Sequence, residues 1–291
     1  MSQAPLGFIG LGNMGAPMAA RLAAAGFELV AYDAAGTSER APAGARCAQS
    51  CAEVAAAAGT VLLSLPDAGV VAEVAAEIVA AEGRAADTVV DFSTIGIEAA
   101  RTTHGLLAAA GVSYVDAPVS GGTAGAQAGT LAIMVAAEED TFARLEAVLE
   151  AVSGKAFRVG TGAGQGQAMK LLNNFLSATA MAATSEAVSF GERHGLELET
   201  MISVLNAATG RNTATSDKFP RRILPGTFDA GFATALMAKD LRLYLDGSAA
   251  AGTRSGIAVA VGEAWNGCEQ ALPDSDFTRI YQYVRGDAVA S

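Results

Sequence analysis

The chain has 291 residues, enough for about two domains and a sizeable core. Hydrophobic residues make up 51% and charged residues 17%, a composition that excludes a disordered chain. The net charge of −11 argues against nucleic-acid or anionic-membrane partners but leaves room for a local pocket that takes a small anion.

Short apolar runs at 6–9, 28–32, 60–65, 88–92, 113–115, 131–135 and 156–159 alternate with helical stretches rich in Ala, Glu, Leu and Val. Such alternation predicts an α/β domain with a mostly parallel, doubly wound sheet covered by helices on both faces. Past Gly166 the pattern changes. Residues 167–194 read as one long helix without proline, followed by helices broken near 209–211, 220–225, 251–256 and Pro273. The expected domains are 1–161, α/β, and 162–291, all-helical. No stretch reads as a membrane span, because Pro66 and Asp67, or Lys170, Asn173 and Asn174, interrupt the most apolar windows. The N-terminus lacks the basic region of a signal peptide. The three cysteines, Cys47, Cys51 and Cys268, are scattered, and His104 and His194 stand near no other ligand residue. A reduced cytoplasmic protein without a metal is expected.

The first functional signal is G-x-G-x-x-G at Gly10, Gly12 and Gly15, after a strand and before a helix from about Met14 to Ala25. Gly10 suits a tight turn, Gly12 lets the backbone approach a pyrophosphate, and Gly15 permits close helix–strand packing. The free N–H groups of the helix start then face the phosphates, which makes Leu11, Asn13 and Met14 cofactor contacts as well. A turn without a ligand is the competing reading. Asp33, 18 residues after Gly15, ends the second strand and can accept both hydrogen bonds of an adenosine ribose diol. It would repel a 2′-phosphate, and Arg40 and Arg46 follow only several residues later, so NAD is favoured over NADP. The alternative is that Asp33 merely caps a turn.

Only four lysines occur: Lys155, Lys170, Lys218 and Lys239. Lys170 lies in the apolar helix Ala168-Met169-Lys170-Leu171-Leu172-Asn173-Asn174, with Asn174 on its own face. Spacing alone leaves open whether Lys170 reaches solvent, meets a carboxylate or acts chemically. Asp116-Ala117-Pro118-Val119-Ser120-Gly121-Gly122 follows a strand, where consecutive glycine N–H groups beside a hydroxyl can form an anion-binding nest, or be an ordinary loop. Asp91-Phe92-Ser93-Thr94 ends another strand. The glycines at 160–166 lack a following Gly-Lys-Ser/Thr, so a P-loop reading fails.

With these motifs in this order, the chain resembles the β-hydroxyacid dehydrogenase family, of which 3-hydroxyisobutyrate dehydrogenase is the best-known type. The resemblance rests on residues 7–15, 91–95, 116–122 with 129–131, Gly164-x-Gly166-x-x-x-Lys170-x-x-Asn173-Asn174, and Lys239-Asp240-Leu241. It implies a Rossmann domain joined by a long interdomain helix to the all-α domain. It further implies that Lys170 is the catalytic acid/base and that Ser120, Gly121 and Gly122 clamp a substrate carboxylate. Asn174 would orient the substrate, and Lys239 would approach both substrate and cofactor. Leu65, Pro66 and Thr94 would lie near the nicotinamide. The implied substrate is a small carboxylate, and the implied assembly is a homodimer or homotetramer.

The expected activity is reversible NAD-dependent oxidation of a short β-hydroxy acid of the 3-hydroxyisobutyrate, serine, glycerate or threonate type. The closest alternative is an NAD(P)H-dependent semialdehyde or glyoxylate reductase. An imine reductase is disfavoured by Lys170, and a non-catalytic dinucleotide-binding protein by the retention of every motif. The segment 209–219 offers Arg211, Asn212, Thr213 and Ser216 as polar groups near a pocket, although Arg211 could equally face solvent.

Overall fold

The structure is a computed structural model that describes residues 4–287. The chain divides into two compact units, residues 1–170 and 171–291.

The first unit is built on a nine-stranded sheet. Its strands are β1 (Leu6–Ile9), β2 (Leu29–Tyr32), β3 (Arg46–Cys47), β4 (Thr60–Leu63), β5 (Thr88–Asp91), β6 (Ser113–Asp116), β7 (Val119–Ser120), β8 (Leu131–Ala136) and β9 (Ser153–Gly160). Between them run α1 (Gly15–Ala24), α2 (Cys51–Ala57), α3 (Ala68–Ala80), α4 (Ile97–Ala109), α5 (Gly122–Ala128) and α6 (Glu139–Val152). The strand order is β3-β2-β1-β4-β5-β6-β8-β7, with β9 beside β8. Pairing is parallel except where β8 meets β6 and β7.

The apolar runs are continuous rather than alternating because both faces are covered. Phe8, Leu62 and Val90 pack with Met18 and Leu22 of α1 and Leu145 and Leu149 of α6. Their neighbours Ile9, Leu63 and Val89 point the other way, onto Val54 of α2, Val71 and Ile78 of α3 and Leu107 of α4. Burying each such side chain is worth about 1.5–3 kcal/mol.

Register decides where chemistry can gather. Ile9 is aligned with Tyr32 and Leu63, Leu63 with Asp91, and Asp91 with Asp116. The residues that follow, Gly10, Asp33, Ser64, Phe92 and Ala117, therefore leave one carboxyl edge in a row. β1 has β2 on one side and β4 on the other, so the chain reverses its winding there, the usual place for a ligand in such sheets. The two-residue strands β3 and β7 were not among the expected runs, since each makes only a short pairing.

The second unit is helical, as expected. It contains α7 (Gln165–Arg193) from Leu171 onward, α8 (Leu198–Ala207), a π-helical segment (Ala214–Ile223), α9 (Thr234–Ala250), α10 (Gly256–Ala271), a 3-10 turn (Phe277–Arg279) and α11 (Ile280–Arg285). Trp265, Phe219, Met181, Leu241 and Ile280 form its centre, and Trp265 Nε1 donates to the Ala178 carbonyl at 3.2 Å. The break expected at 220–225 comes at the end of that range, after Ile223, because Pro220 itself lies inside the π-helical segment. A proline there has no N–H to give five residues back, and Asn206 Nδ2 donates to the Thr215 carbonyl in its place, at 2.7 Å.

The first turn of α7 is bonded to the strand ends of the first unit, which is why the compact units divide at Lys170, within the helix. Among the described residues no helix is long and apolar enough to cross a membrane.

Candidate active site

The glycine loop has two kinds of glycine. Gly10 has φ +93°, and a Cβ there would meet the Ser64 carbonyl oxygen at 2.3 Å. A Cβ on Gly15 would lie 1.9 Å from the Gly10 carbonyl oxygen. Both are required by the protein's own packing. Gly12 is not: a Cβ there meets nothing within 4 Å. Close approach of a ligand is the physical reason left for a glycine at that position. No side chain caps α1 and no acidic residue sits in its first turn, which suits a pyrophosphate at its N-terminus. Leu11, Asn13 and Met14 lie between these glycines, in the same loop.

Asp33 is fixed from two directions. Leu11 N–H donates to its Oδ2 at 2.6 Å and Ala35 N–H to its Oδ1 at 2.8 Å. The fold also brings Arg40 close, with Nε 4.0 Å from Oδ1, although seven residues separate them in sequence. A nicotinamide dinucleotide thus fits the residues present: an open glycine, Gly12, in the loop, an uncapped helix start, and a preset carboxylate for the ribose.

Further along the edge, Leu65 N–H donates to Ser93 Oγ at 2.9 Å, and Asp67 Oδ1 caps α3 by accepting from Val70 N–H at 3.0 Å. Leu65, Pro66 and Thr94 are thereby held on two adjacent strand ends. Below them lies an acidic pair that carried no assigned role in the sequence. Asp91 is fully buried, accepts from Ser93 N–H at 2.9 Å and takes the Tyr114 hydroxyl at 3.0 Å. Burial pushes its pKa up to about 6, although these hydrogen bonds favour the carboxylate. Burial also raises Asp116, which accepts from Gly164 N–H and Gln167 N–H through Oδ2.

Between its ordinary value of 3.8 and about 6, Asp91 keeps a proton in the folded chain that the unfolded chain has released, so its effect on stability grows less favourable as pH rises through that window. Asp91→Asn should therefore gain roughly 2 kcal/mol relative to the parent between pH 4 and pH 7. Urea denaturation at both values checks this, and a gap that does not change with pH would refute it.

Lys170 lies in the second turn of α7 and is 7% exposed. Its helix can approach the strand edge because Gly166 has no side chain: a Cβ there would meet the carbonyl oxygens of Met134 and Asp116 at 2.7 and 2.8 Å. Ser120 ends β7, and Gly121 and Gly122 open α5 with φ of +135° and +64°, conformations that suit glycine. All these residues belong to the first unit.

In the second unit, Asn174 Nδ2 donates to Asp240 Oδ2 at 2.6 Å, and Asn174 Oδ1 accepts from Asn173 Nδ2 at 3.1 Å. Lys239 Nζ stands 3.6 Å from Asp240 Oδ1. Asp240, 3% exposed, thus joins Asn174 to Lys239, a link that sequence spacing could not reveal.

The segment at 209–219 is held by local hydrogen bonds. Asn212 Oδ1 accepts from Ala214 and Thr215 N–H, and its Nδ2 donates to Thr184 Oγ1 at 3.0 Å. It is the cap of the π-helical segment. Ser216 Oγ donates to the Asn212 carbonyl, and Arg211 and Thr213 are exposed. His104 faces Tyr114 and His194 faces Phe190. Among the described residues no group of three His, Cys, Asp or Glu side chains could hold a metal ion.

Residues 5–160 match a family profile described as the NAD-binding domain of 6-phosphogluconate dehydrogenase. Residues 164–284 match one described as NAD-binding of NADP-dependent 3-hydroxyisobutyrate dehydrogenase. The chain is 37% identical over 296 residues to the probable 3-hydroxyisobutyrate dehydrogenase of Mycobacterium tuberculosis, covering 98% of this chain and 99% of that one. It is 39% identical over 245 residues to the 2-(hydroxymethyl)glutarate dehydrogenase of Eubacterium barkeri, covering 83% and 81%. A solved structure of the Mycobacterium tuberculosis 3-hydroxyisobutyrate dehydrogenase with L-serine superposes with a TM-score of 0.89 at 35% identity, covering 97% and 99%. With its glycine loop, its uncapped α1 and matches along almost its full length, the chain belongs to the 3-hydroxyisobutyrate dehydrogenase-like β-hydroxyacid dehydrogenases, oxidoreductases that act on CH–OH groups with a nicotinamide dinucleotide.

Proposed function

We propose that this chain reversibly oxidises the alcohol of a short β-hydroxy carboxylic acid with NAD, using Lys170 as the acid/base. The observation that carries the reading is the burial of Lys170, 7% exposed, one turn into a helix whose start is bonded to the carboxyl edge of the sheet. The bound dinucleotide would supply the hydride acceptor. Gly10, Leu11, Gly12, Asn13 and Met14 would hold its pyrophosphate and Asp33 its ribose, with Leu65, Pro66 and Thr94 toward the nicotinamide. Ser120, Gly121 and Gly122 would bind the substrate carboxylate through N–H groups and a hydroxyl. Asn174 would orient the substrate, and Lys239 would add positive charge, both steadied by Asp240. Lys170 would take the hydroxyl proton in oxidation and return it in reduction.

The substrate is of the 3-hydroxyisobutyrate, serine, glycerate or threonate type. The Mycobacterium tuberculosis relative solved with L-serine supports including an amino-substituted acid. A cytoplasmic homodimer or homotetramer belongs to the same reading. Leu176 and Phe190 on α7 and Ile257 on α10 are 61%, 67% and 69% exposed, apolar surface of the kind a second copy would cover.

A second reading, reduction of a semialdehyde or glyoxylate with NADPH, is favoured by Arg40 beside Asp33, since a guanidinium is what a 2′-phosphate needs. Turnover of the four acids with NAD and NADP decides between them. The expected outcome is a kcat/KM at least about tenfold higher with NAD, from repulsion between Asp33 and the phosphate. Preference for NADP would select the second reading.

A further inference from the structure

Gln167 is fully buried, and its side-chain amide makes four hydrogen bonds. Oε1 accepts from Ile95 N–H at 2.9 Å and Gly96 N–H at 3.1 Å. Nε2 donates to the Ser93 carbonyl at 3.0 Å and to Asp116 Oδ1 at 2.8 Å. Two donations and two acceptances fill the usual capacity of an amide. One side chain thereby ties three pieces of chain together: the 93–96 loop after β5, the end of β6, and the first turn of α7. Thr94 sits between two of the residues it holds, and Lys170 follows it by three positions, on the same side of the helix.

We infer that Gln167 is a positioning residue, which sets the Lys170 amine against the loop carrying Thr94. The inference rests on the acid/base reading of Lys170 given above. An apolar side chain could fill the same volume, but it could not fix both the loop and the helix by directional bonds. Fixing them matters for a proton transfer, because a displacement of about 1 Å in the reacting groups can cost about 10²-fold in rate. A carboxylate would not serve either. Glutamate keeps the acceptor for Ile95 and Gly96 but loses the donor that faces Asp116, and it adds a charge beside two buried acids.

The test is a double-mutant cycle on the full chain, with melting temperature and NAD affinity measured for every variant. Gln167→Met, close in volume and without hydrogen bonds, is expected to lower kcat by about 10–100-fold with NAD affinity within about threefold. Added to Lys170→Ala, it should lower the residual kcat by less than about threefold, because a residue that acts through the lysine has nothing left to position. If the Gln167→Met loss multiplies in full onto the lowered residual kcat of Lys170→Ala, the positioning role is overturned while the acid/base reading stands. If Lys170→Ala alone keeps its kcat, the acid/base reading falls and this inference falls with it. Gln167→Glu covers the case in which the methionine variant does not fold. Its loss relative to the parent should shrink as pH is lowered from 8 to 6, when protonation restores a donor toward Asp116. A loss independent of pH would count against the proposal.

Discussion

Lys170→Ala is expected to lower kcat by about 10²–10⁴-fold, the usual contribution of a positioned acid/base, while NAD affinity stays within about threefold. The residue is 7% exposed, and its helix is bonded to the strand edge one turn earlier, so the amine is held in place rather than swinging on a free stem. Lys170→Arg should not rescue the activity, because a guanidinium stays protonated and cannot accept the hydroxyl proton. Steady-state kinetics with a β-hydroxy acid at saturating NAD, with melting temperature as a control, give the answer. A folded Lys170→Ala that keeps most of its kcat would end the assignment.

Gly12→Ala and Gly15→Ala should fail in different ways. A methyl at Gly15 would lie 1.9 Å from the Gly10 carbonyl oxygen and 3.2 Å from the Phe8 ring, so the backbone must move. That variant is expected to lose about 1–3 kcal/mol or more of stability and to bind NAD poorly as a consequence. Gly12→Ala should leave stability within about 0.5 kcal/mol, since nothing of the protein lies within 4 Å of the added carbon. It should nevertheless lose about tenfold or more in NAD affinity, because on the proposed reading the methyl would stand where the pyrophosphate approaches. Urea denaturation and calorimetric titration separate the two. NAD binding to Gly12→Ala as tight as to the parent would remove the ligand explanation of that glycine.

The sheet was legible because most of its strands are covered on both faces, which writes runs such as 6–9 and 60–63 as unbroken apolar stretches. The helical unit was legible for the opposite reason, a long segment without proline or turn residues. What escaped was everything that depends on pairing across the chain. Two-residue strands leave no period to detect. Pro220 reads locally as a breaker, and only Asn206, fourteen residues earlier, explains why it is tolerated. The bonds of Asn212 to the Ala214 and Thr215 N–H groups had no signature beyond a polar letter before a helical run. Gln167 gave no signal stronger than a polar letter in an apolar setting, and the motifs holding Asp116 and Asp240 did not name their partners, because those lie 48–74 residues away in sequence. Conversely, the lysine and the glycines stood out because each is unusual where it occurs.

The double duty of Asp33 constrains how such an enzyme could change its cofactor. The carboxylate expected to meet the ribose is also the acceptor for Leu11 N–H, and so it fastens the turn between the first two loop glycines. Selection for the phosphorylated cofactor cannot simply delete the side chain without loosening that turn. The accessible route is a neutral oxygen-bearing replacement, such as Asn or Ser, that keeps an acceptor for Leu11 and releases the neighbouring Arg40 guanidinium. On the proposed role of Asp33, cofactor preference and loop order would be inherited together, in one residue.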